Sequence, residues 1–335
     1  MDSGSSIWPE RPGMRLAVLS NEKLGPWVNW TTLGPPLLRP LAARPGAQLI
    51  APPPLAFGNV YEWRRTLKNI QSADTLFWMQ GASRPEFPVH LTSLLRGQAR
   101  RSAFVVDAWK YLLTKIGTLA VLQRFDPCFV AFREGFEELG RRFPSGRFEW
   151  LPFGVDTNVF DSVPGERPIF AYWMGRRYGP LHEAMIRYCS ARGLDYRYTM
   201  SPGEFGDPLE LGRIVGSSRY FLVAPPDLAD PARTGGFSPF VMRYLEGLSA
   251  GSRLLGVLPK SGEYQRLLPL EAIVQVAPDG SDLAGKLDAD RCNPEAGAAV
   301  ERARTFVRDS HSWTKRAEQI FDRLTSGKVI NVEKI

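Results

Sequence analysis

The sequence predicts an α/β protein of two similar halves, each built on a parallel sheet. Three observations predict it. Short apolar runs alternate with helix-length stretches along nearly the whole chain, which is the pattern of βαβ units. The alternation restarts after a Pro- and Gly-rich segment at 152–168. The 335 residues also exceed one ordinary core, since domains run to roughly 100–200 residues. Two such halves joined by one linker face each other across a cleft, and clefts between domains are common ligand sites.

The elements follow in order. The run 15–20 (RLAVLS) is apolar and follows a glycine closely, so it reads as a buried first strand. At 48–51 (QLIA) a second strand is stopped by the proline run 52–54. Aromatic and apolar residues at helical spacing make 60–70 a helix. A strand at 74–79 (DTLFWM), a helix around 88–101, a strand at 103–107 (AFVVD) and a helix at 109–122 come next. Residues 128–131 are short and β-like, 134–142 form a charged helix, and 148–151 a strand. Beyond the linker the pattern resumes with strand 168–173, helix 181–192, strand 196–200 and helix 208–217. Strand 220–224 (YFLVA), helix 239–249, strands 254–258 and 272–276, and a long helical C-terminus from about 295 to 325 complete the chain.

Composition narrows the class. Hydrophobic residues make up 44% and charged residues 23%, ordinary for a globular chain and unlike a disordered one. Cys128, Cys189 and Cys292 are far apart and match no metal spacing, and an odd count without CxxC points to a reducing compartment, the cytoplasm. No window approaches the roughly 18 apolar residues of a membrane span. Residues 1–13 are polar and lack the apolar core of a signal peptide, so they read as a flexible leader.

Charge is uneven. Residues 1–160 hold 19 Lys and Arg against 13 Asp and Glu, and the rest hold 23 against 22. Arg96, Arg100 and Arg101 follow Leu91, Leu94 and Leu95, the pattern of a basic amphipathic helix. Such a helix suits weak peripheral contact with an anionic membrane, although a solvated helix face accounts for the same residues. Nucleic acid is not an expected partner, because no aromatics for base stacking stand between the basic residues.

The stretch 235–263 carries the most chemistry. Gly235-Gly236 leads through Phe237 into Ser238-Pro239, which reads as a helix start. Glu246, a Gly-Leu-Ser-Ala-Gly turn at 247–251, an apolar strand and a polar glycine loop with Lys260 follow. Glycines let backbone approach phosphates, and a helix N-terminus points free N–H groups at them. An acid two turns along can reach a ribose hydroxyl. An ordinary loop, N-cap and exposed helix acid would account for the same residues one at a time.

Four segments in order tip that balance. Residues 151–160 (LPFGVDTNVF) look like the P-x-G-V-D-x-x-x-F segment that closes the first domain in family-4-type glycosyltransferases of the GT-B fold. Residues 169–177 (IFAYWMGRR) resemble their following strand and Gly-Arg element. The stretch 236–251 resembles the E-x7-E motif with its small-residue turn, and His311-Ser312-Trp313 before Arg316-Ala317 resembles the last helix, which crosses back to the first domain. The resemblance implies an acceptor-side Rossmann-like domain at 14–155, a nucleotide-sugar-binding Rossmann-like domain at 156–310 and a returning helix at 311–335. Two departures stand out. Ser238 occupies the position of the first motif acid, and Leu181 that of a family lysine. Both point toward a divergent branch resembling spore-maturation-type proteins.

The roles expected follow from charge. Sugar transfer from a nucleotide diphosphate builds negative charge on the leaving phosphate, and preorganised donors aimed at it lower the barrier. Gly235, Gly236, Phe237 and Ser238 would hold the donor, with Arg176 or Arg177 as cationic clamp, Lys260 as further positive charge and Glu246 on the ribose. No histidine follows the first strand. Asp107, near the end of the 103–107 strand, serves as base or acceptor ligand, or as an N-cap before Trp109. Asn21, Glu22, Lys23 and Gly25, after the first strand, meet the acceptor by position. With no evident base, the donor phosphate itself takes the acceptor proton, which implies retention. Asp227 and Asp230 read as a turn between prolines rather than a metal pair.

The function expected is therefore a cytoplasmic, metal-independent, cofactor-free retaining hexosyltransferase of polysaccharide biosynthesis. Its donor is a nucleotide diphosphate sugar, with mannose or glucose as the family's hexose, and its acceptor a glycan or small hydroxylated molecule. A non-catalytic GT-B-like partner that binds nucleotide or glycan is one rival. A two-domain solute-binding protein is the other, against which the polar leader weighs.

Overall fold

Apolar runs buried on both faces are the mark of parallel strands covered by helices, and both halves of this chain carry them. The computed structural model describes residues 13–20, 34–53, 57–80, 99–200, 207–327 and 330. The first sheet holds β1 (Leu16–Leu19), β2 (Ala47–Ile50), β3 (Thr75–Gln80), β4 (Arg100–Val105), β5 (Phe125–Val130) and β6 (Phe148–Trp150). Its order is β2-β1-β3-β4-β5-β6, and every neighbouring pair is parallel. The second holds β7 (Ile169–Trp173), β8 (Tyr196–Tyr198), β9 (Ser218–Val223), β10 (Arg253–Gly256) and β11 (Ile273–Gln275), in the order β11-β10-β9-β7-β8, again all parallel.

Each sheet winds outward from its first strand. β1 pairs with both β2 and β3, and β7 with both β8 and β9. Successive connections therefore leave in opposite directions, which opens a crevice beyond the carboxyl ends of the central strands. That switch point lies between β1 and β3 in one sheet and between β7 and β9 in the other.

The chain divides into two units. The first runs to Pro152 and takes back the helix Trp313–Ser326, and the second spans Phe153–Ser312. The expected helical C-terminus consists of two helices, Ala296–His311 and Trp313–Ser326, separated because Ser312 is extended (φ −67°, ψ 155°) and bridges Val155. The last helix packs on Gly34–Ala42, sets Trp313 edge-on to Phe104, and pairs Arg44 with Glu318 at 2.8 Å. Its Arg323 meets Glu149 at 2.6 Å. Its Arg316 is wholly buried and donates to the carbonyl of Pro152 (2.8 Å) and to Gln319 Oε1 (2.9 Å).

Other expectations are corrected. Arg100 and Arg101 do not end a basic amphipathic helix; they open β4. Arg100 donates to the carbonyls of Asp126 (2.7 Å) and Leu324 (3.1 Å), and Arg101 to that of Gln123 (3.0 Å). Both are held by internal carbonyls, and Arg96 lies outside the described residues. The β4–β5 register shifts between Arg101 and Ala103, an irregularity that lets Pro127 sit inside β5. Residues 1–12 of the leader and the 88–98 part of the expected helix also fall outside the described residues.

The helix expected at 239–249 begins only at Arg243. Ser238 and Pro239 precede it in non-helical backbone, so they are not its N-cap and first residue. Gly247 is likewise not a turn glycine. It lies inside Arg243–Ser249, where a Cβ would stand 2.6 Å from Phe221 Cδ1 and 2.7 Å from Leu254 Cδ2. The turn comes at Ala250-Gly251, with Gly251 at φ 72°. Gly247 therefore serves close packing of helix on sheet.

Candidate functional site

The loops leaving β7, β9 and β10 converge at the switch point of the second sheet. The β7 loop turns at Gly175 (φ 75°), and Trp173 Nε1 donates to the Arg176 carbonyl at 2.9 Å, which fixes the next residue. The β9 loop holds two short helical turns, Pro226–Ala229 and Pro231–Thr234, each opened by a proline whose missing N–H suits that place. Asp230 ends the first and caps the second by accepting the N–H of Arg233 (3.3 Å). The second turn closes at Gly235 (φ 61°) and Gly236 (φ 94°), left-handed backbone that glycine adopts readily.

Asp230 also joins the two loops. Its carboxylate meets Arg176 at 3.1 Å and the side chain of Arg233 at 3.4 Å. One acid thus faces two guanidiniums. A third guanidinium stands beside them: Arg243, partly buried, points at the β7 turn, where a Cβ on residue 175 would lie 2.7 Å from its Nη2. The left-handed backbone of Gly175 favours glycine there, and a side chain would press on the Arg243 guanidinium. Burial holds Arg243 below the usual arginine range, Glu246 raises it again, and the charges of Arg176 and Arg233 lower it further.

Glu246 lies one turn along the same helix and is 8% exposed. Burial pushes its carboxyl up to about 7, with Arg243 pulling the other way. Among the described residues, the side chains of Arg243 and Glu246 make no hydrogen bond or ion pair. A buried acid and an adjacent guanidinium left unpaired among surplus positive charge is what a ligand site needs: anion binding on one side and an acceptor for hydroxyls on the other.

A second network stiffens the wall. Ser238 is buried, and its Oγ donates to Asp227 Oδ1 (2.7 Å) while accepting the N–H of Lys260 (3.1 Å). The ammonium of Lys260 reaches Asp227 Oδ2 at 3.2 Å. Glu263, wholly buried, accepts the N–H of Phe240 (2.6 Å) and the hydroxyl of Ser261 (2.8 Å). These contacts tie the β9, 237–242 and β10 loops together.

The sequence-derived site residues are thus distributed unequally. Arg176 and Glu246 stand in the cluster around Arg243. Gly235 and Gly236 close the turn that carries Arg233, and Phe237 continues from it with its N–H on the Thr234 carbonyl (3.3 Å). Ser238 and Lys260 belong to the Asp227 network, where the acid offsets the lysine charge. Arg177 turns elsewhere: its guanidinium lies 4.6 Å from the Tyr198 ring centroid and donates to the Thr199 carbonyl, at the β8 edge. Asp107 lies in the first unit, two residues past β4 and half-buried, and the turn after it has Trp109 at its N-cap. Asn21, Glu22, Lys23 and Gly25 lie outside the described residues.

Arg233, Arg243, Asp227, Asp230 and Glu263 were not assigned roles from sequence. Arg243 carried a usable signal, since it stands three residues before Glu246 and so shares a helix face with it. The acids at 227 and 230 carried none beyond the turn. Among the described residues no group of three or more His, Cys, Asp or Glu side chains stands together, and no helix is long and apolar enough to cross a membrane.

No protein-family model matches the chain. No curated protein matches it at a significant level. Solved structures do match in fold. Sucrose-phosphate synthase from Thermosynechococcus elongatus is 12% identical with a TM-score of 0.55, over 94% of this chain and 100% of that one. Anabaena HepE, solved in complex with UDP-glucose, is 11% identical with a TM-score of 0.58, over 93% and 100%. AviGT4, a glycosyltransferase involved in avilamycin A biosynthesis, is 12% identical with a TM-score of 0.51, over 94% and 99%. The two Rossmann-like units are those of the GT-B fold. At this identity the likeness is one of fold, and it does not single out the spore-maturation-type branch.

Proposed function

We propose that this chain is a retaining glycosyltransferase that moves a hexose from a nucleotide diphosphate sugar to a glycan or small hydroxylated acceptor. The observation that carries the reading is the cluster at the β7–β9 switch point. Three guanidiniums gather there, two of them on the Asp230 carboxylate and the third beside the buried Glu246, which makes no hydrogen bond among the described residues. Surplus positive charge at the carboxyl ends of parallel strands suits a diphosphate. The UDP-glucose bound by HepE, a protein of the same fold, makes uridine diphosphate the first nucleotide to try.

In the proposed reaction the acceptor oxygen bonds to the anomeric carbon as the bond from that carbon to the phosphate oxygen breaks. The departing phosphate takes the acceptor proton, so no protein base is needed. Arg176 stabilises the charge that gathers on the leaving group, and Glu246, ionised when ligand fills the site, accepts ribose hydroxyls. Because guanidiniums supply the positive charge, the reaction needs no metal. Arg177, stacked on Tyr198, serves the loop after β8 in this reading.

One observation favours a second reading, a nucleotide-binding partner of GT-B fold without turnover. Ser238 is buried and engaged with Asp227 and Lys260, and no acid stands at that position. Thermal shift and calorimetry against UDP, GDP, ADP and dTDP, each with and without magnesium, test binding, because a ligand of the folded state raises apparent stability. A shift with one diphosphate that is independent of magnesium is expected. Release of sugar from the matching donor by the purified protein distinguishes enzyme from partner, and proton NMR of the product anomer decides between retention and inversion.

A further inference from the structure

We infer that Arg243 is a donor-binding residue of this site: it is the guanidinium that holds the ligand's phosphates in the ground state, while Arg176, held by Asp230, meets the charge that develops on the leaving group, and Arg233 is held by the same acid. This rests on the nucleotide-diphosphate reading above and assigns its phosphate contact to a residue outside the Gly-Arg element.

The assignment follows from which charges are already paired. Arg176 meets Asp230 at 3.1 Å, and Arg233 meets the same oxygen at 3.4 Å. Lys260 meets Asp227 at 3.2 Å with most of its side chain in solvent. Arg177 lies over Tyr198 with its guanidinium on the Thr199 carbonyl. Arg243 differs from all four. It is partly buried, has no hydrogen bond or ion pair, and lies within the field of two other arginines. A guanidinium has five donors, and the described residues claim none of those on Arg243, so its donors stay open to a ligand.

Its neighbour points to the ligand's chemistry. Glu246 is more than nine-tenths buried, stands one turn away, and also lacks a hydrogen bond. The two do not pair, although residues three apart on a helix can. The site therefore offers a planar donor for an anion and, beside it, an acceptor for hydroxyls. A phosphorylated sugar with free hydroxyls presents both groups on one molecule. Gly175 keeps the space open, since a Cβ there would lie 2.7 Å from Arg243 Nη2.

The test is titration calorimetry of the full chain with UDP and with inorganic pyrophosphate, using Arg243→Met, Arg243→Lys and Glu246→Gln. Arg243→Met is expected to weaken both ligands about ten- to a hundredfold, the loss of a charge-assisted contact. Arg243→Lys should recover part of that loss. Glu246→Gln should weaken UDP and leave pyrophosphate unchanged, because pyrophosphate has no hydroxyls for it. Melting temperatures of the variants establish that each is folded. Wild-type affinity for UDP in a folded Arg243→Met protein would overturn this assignment alone. Failure of the wild type to bind any nucleoside diphosphate would overturn it together with the reading it rests on.

Discussion

Arg316 in the first unit and Arg243 in the second are both arginines that burial pushes below their usual pKa, Arg316 to about 9. Arg316 is the more deeply buried, yet it has partners: the Pro152 carbonyl and Gln319 hold its guanidinium. Arg243 is less buried and has none. Burial of a charge therefore does not by itself mark a binding site. What marks one is a buried charge whose hydrogen bonds the protein leaves open.

The same contrast holds between the units as wholes. The first half carries nearly all of the net charge, but several of its described arginines pair within their own unit: Arg15 with Asp74, Arg44 with Glu318 and Arg147 with Asp126. The second half is nearly neutral in composition and still gathers three guanidiniums beside Asp230 and Glu246. Net charge reports solubility and long-range attraction; a local imbalance locates an anion.

The largest effect expected is at Arg316. Arg316→Ala leaves a cavity and orphans a buried carbonyl, so chemical denaturation should report a loss of about 3–5 kcal/mol with donor affinity intact. A small loss would break the comparison, because Arg316 would then be no more structural than Arg243.

Glu246 comes next and moves stability the other way. Between pH 4.5 and about 7 the folded carboxyl keeps a proton that the unfolded one has lost. The folded state binds more protons over that window, so this group's contribution to stability falls as pH rises through it. Glu246→Gln removes that slope. At pH 8 the variant should be more stable than wild type by up to about 3 kcal/mol, with the gain vanishing near pH 4. Paired denaturation curves at the two pH values check it, and a gain independent of pH would remove the buried-acid explanation.

Gly247→Ala should cost about 1–3 kcal/mol, since the added methyl must displace Phe221 or Leu254. A neutral result would return Gly247 to the role of a turn residue. Arg176→Ala should be the mildest in stability, within about 1 kcal/mol, because its ion pair with Asp230 is half exposed. Its effect belongs in kcat, which should fall more than donor affinity if Arg176 meets charge that develops only in the transition state. Equal rates would take it out of the mechanism.

Much of the fold was legible because strand burial writes itself into composition. The runs 15–20, 74–79 and 220–224 are apolar on both faces, and each is a strand in the structure within a residue or two. The errors came where one residue type serves two purposes. Ser-Pro before an apolar stretch signals a helix start, yet Ser238 turns inward to Asp227 and the helix waits until Arg243. Arg100 and Arg101 look like one edge of a basic helix, yet strand pairing and carbonyls from β5 and the last helix claim them. Of the site, Arg176 and Glu246 were visible through motif order. Asp230 and Arg233 were not, because the pairing of Asp230 with Arg176, which brings Arg233 into the cluster, crosses more than fifty residues.

By itself, then, the sequence determined the alternation of strands and helices and the two parallel sheets. These depend on local periodicity and burial, which neighbouring residues encode. Only the tertiary structure decided which charges are neutralised. Whether Arg243 is paired depends on where Asp230, Gly175 and Glu246 stand in space, and those positions come from three loops that meet only because β7, β9 and β10 lie side by side.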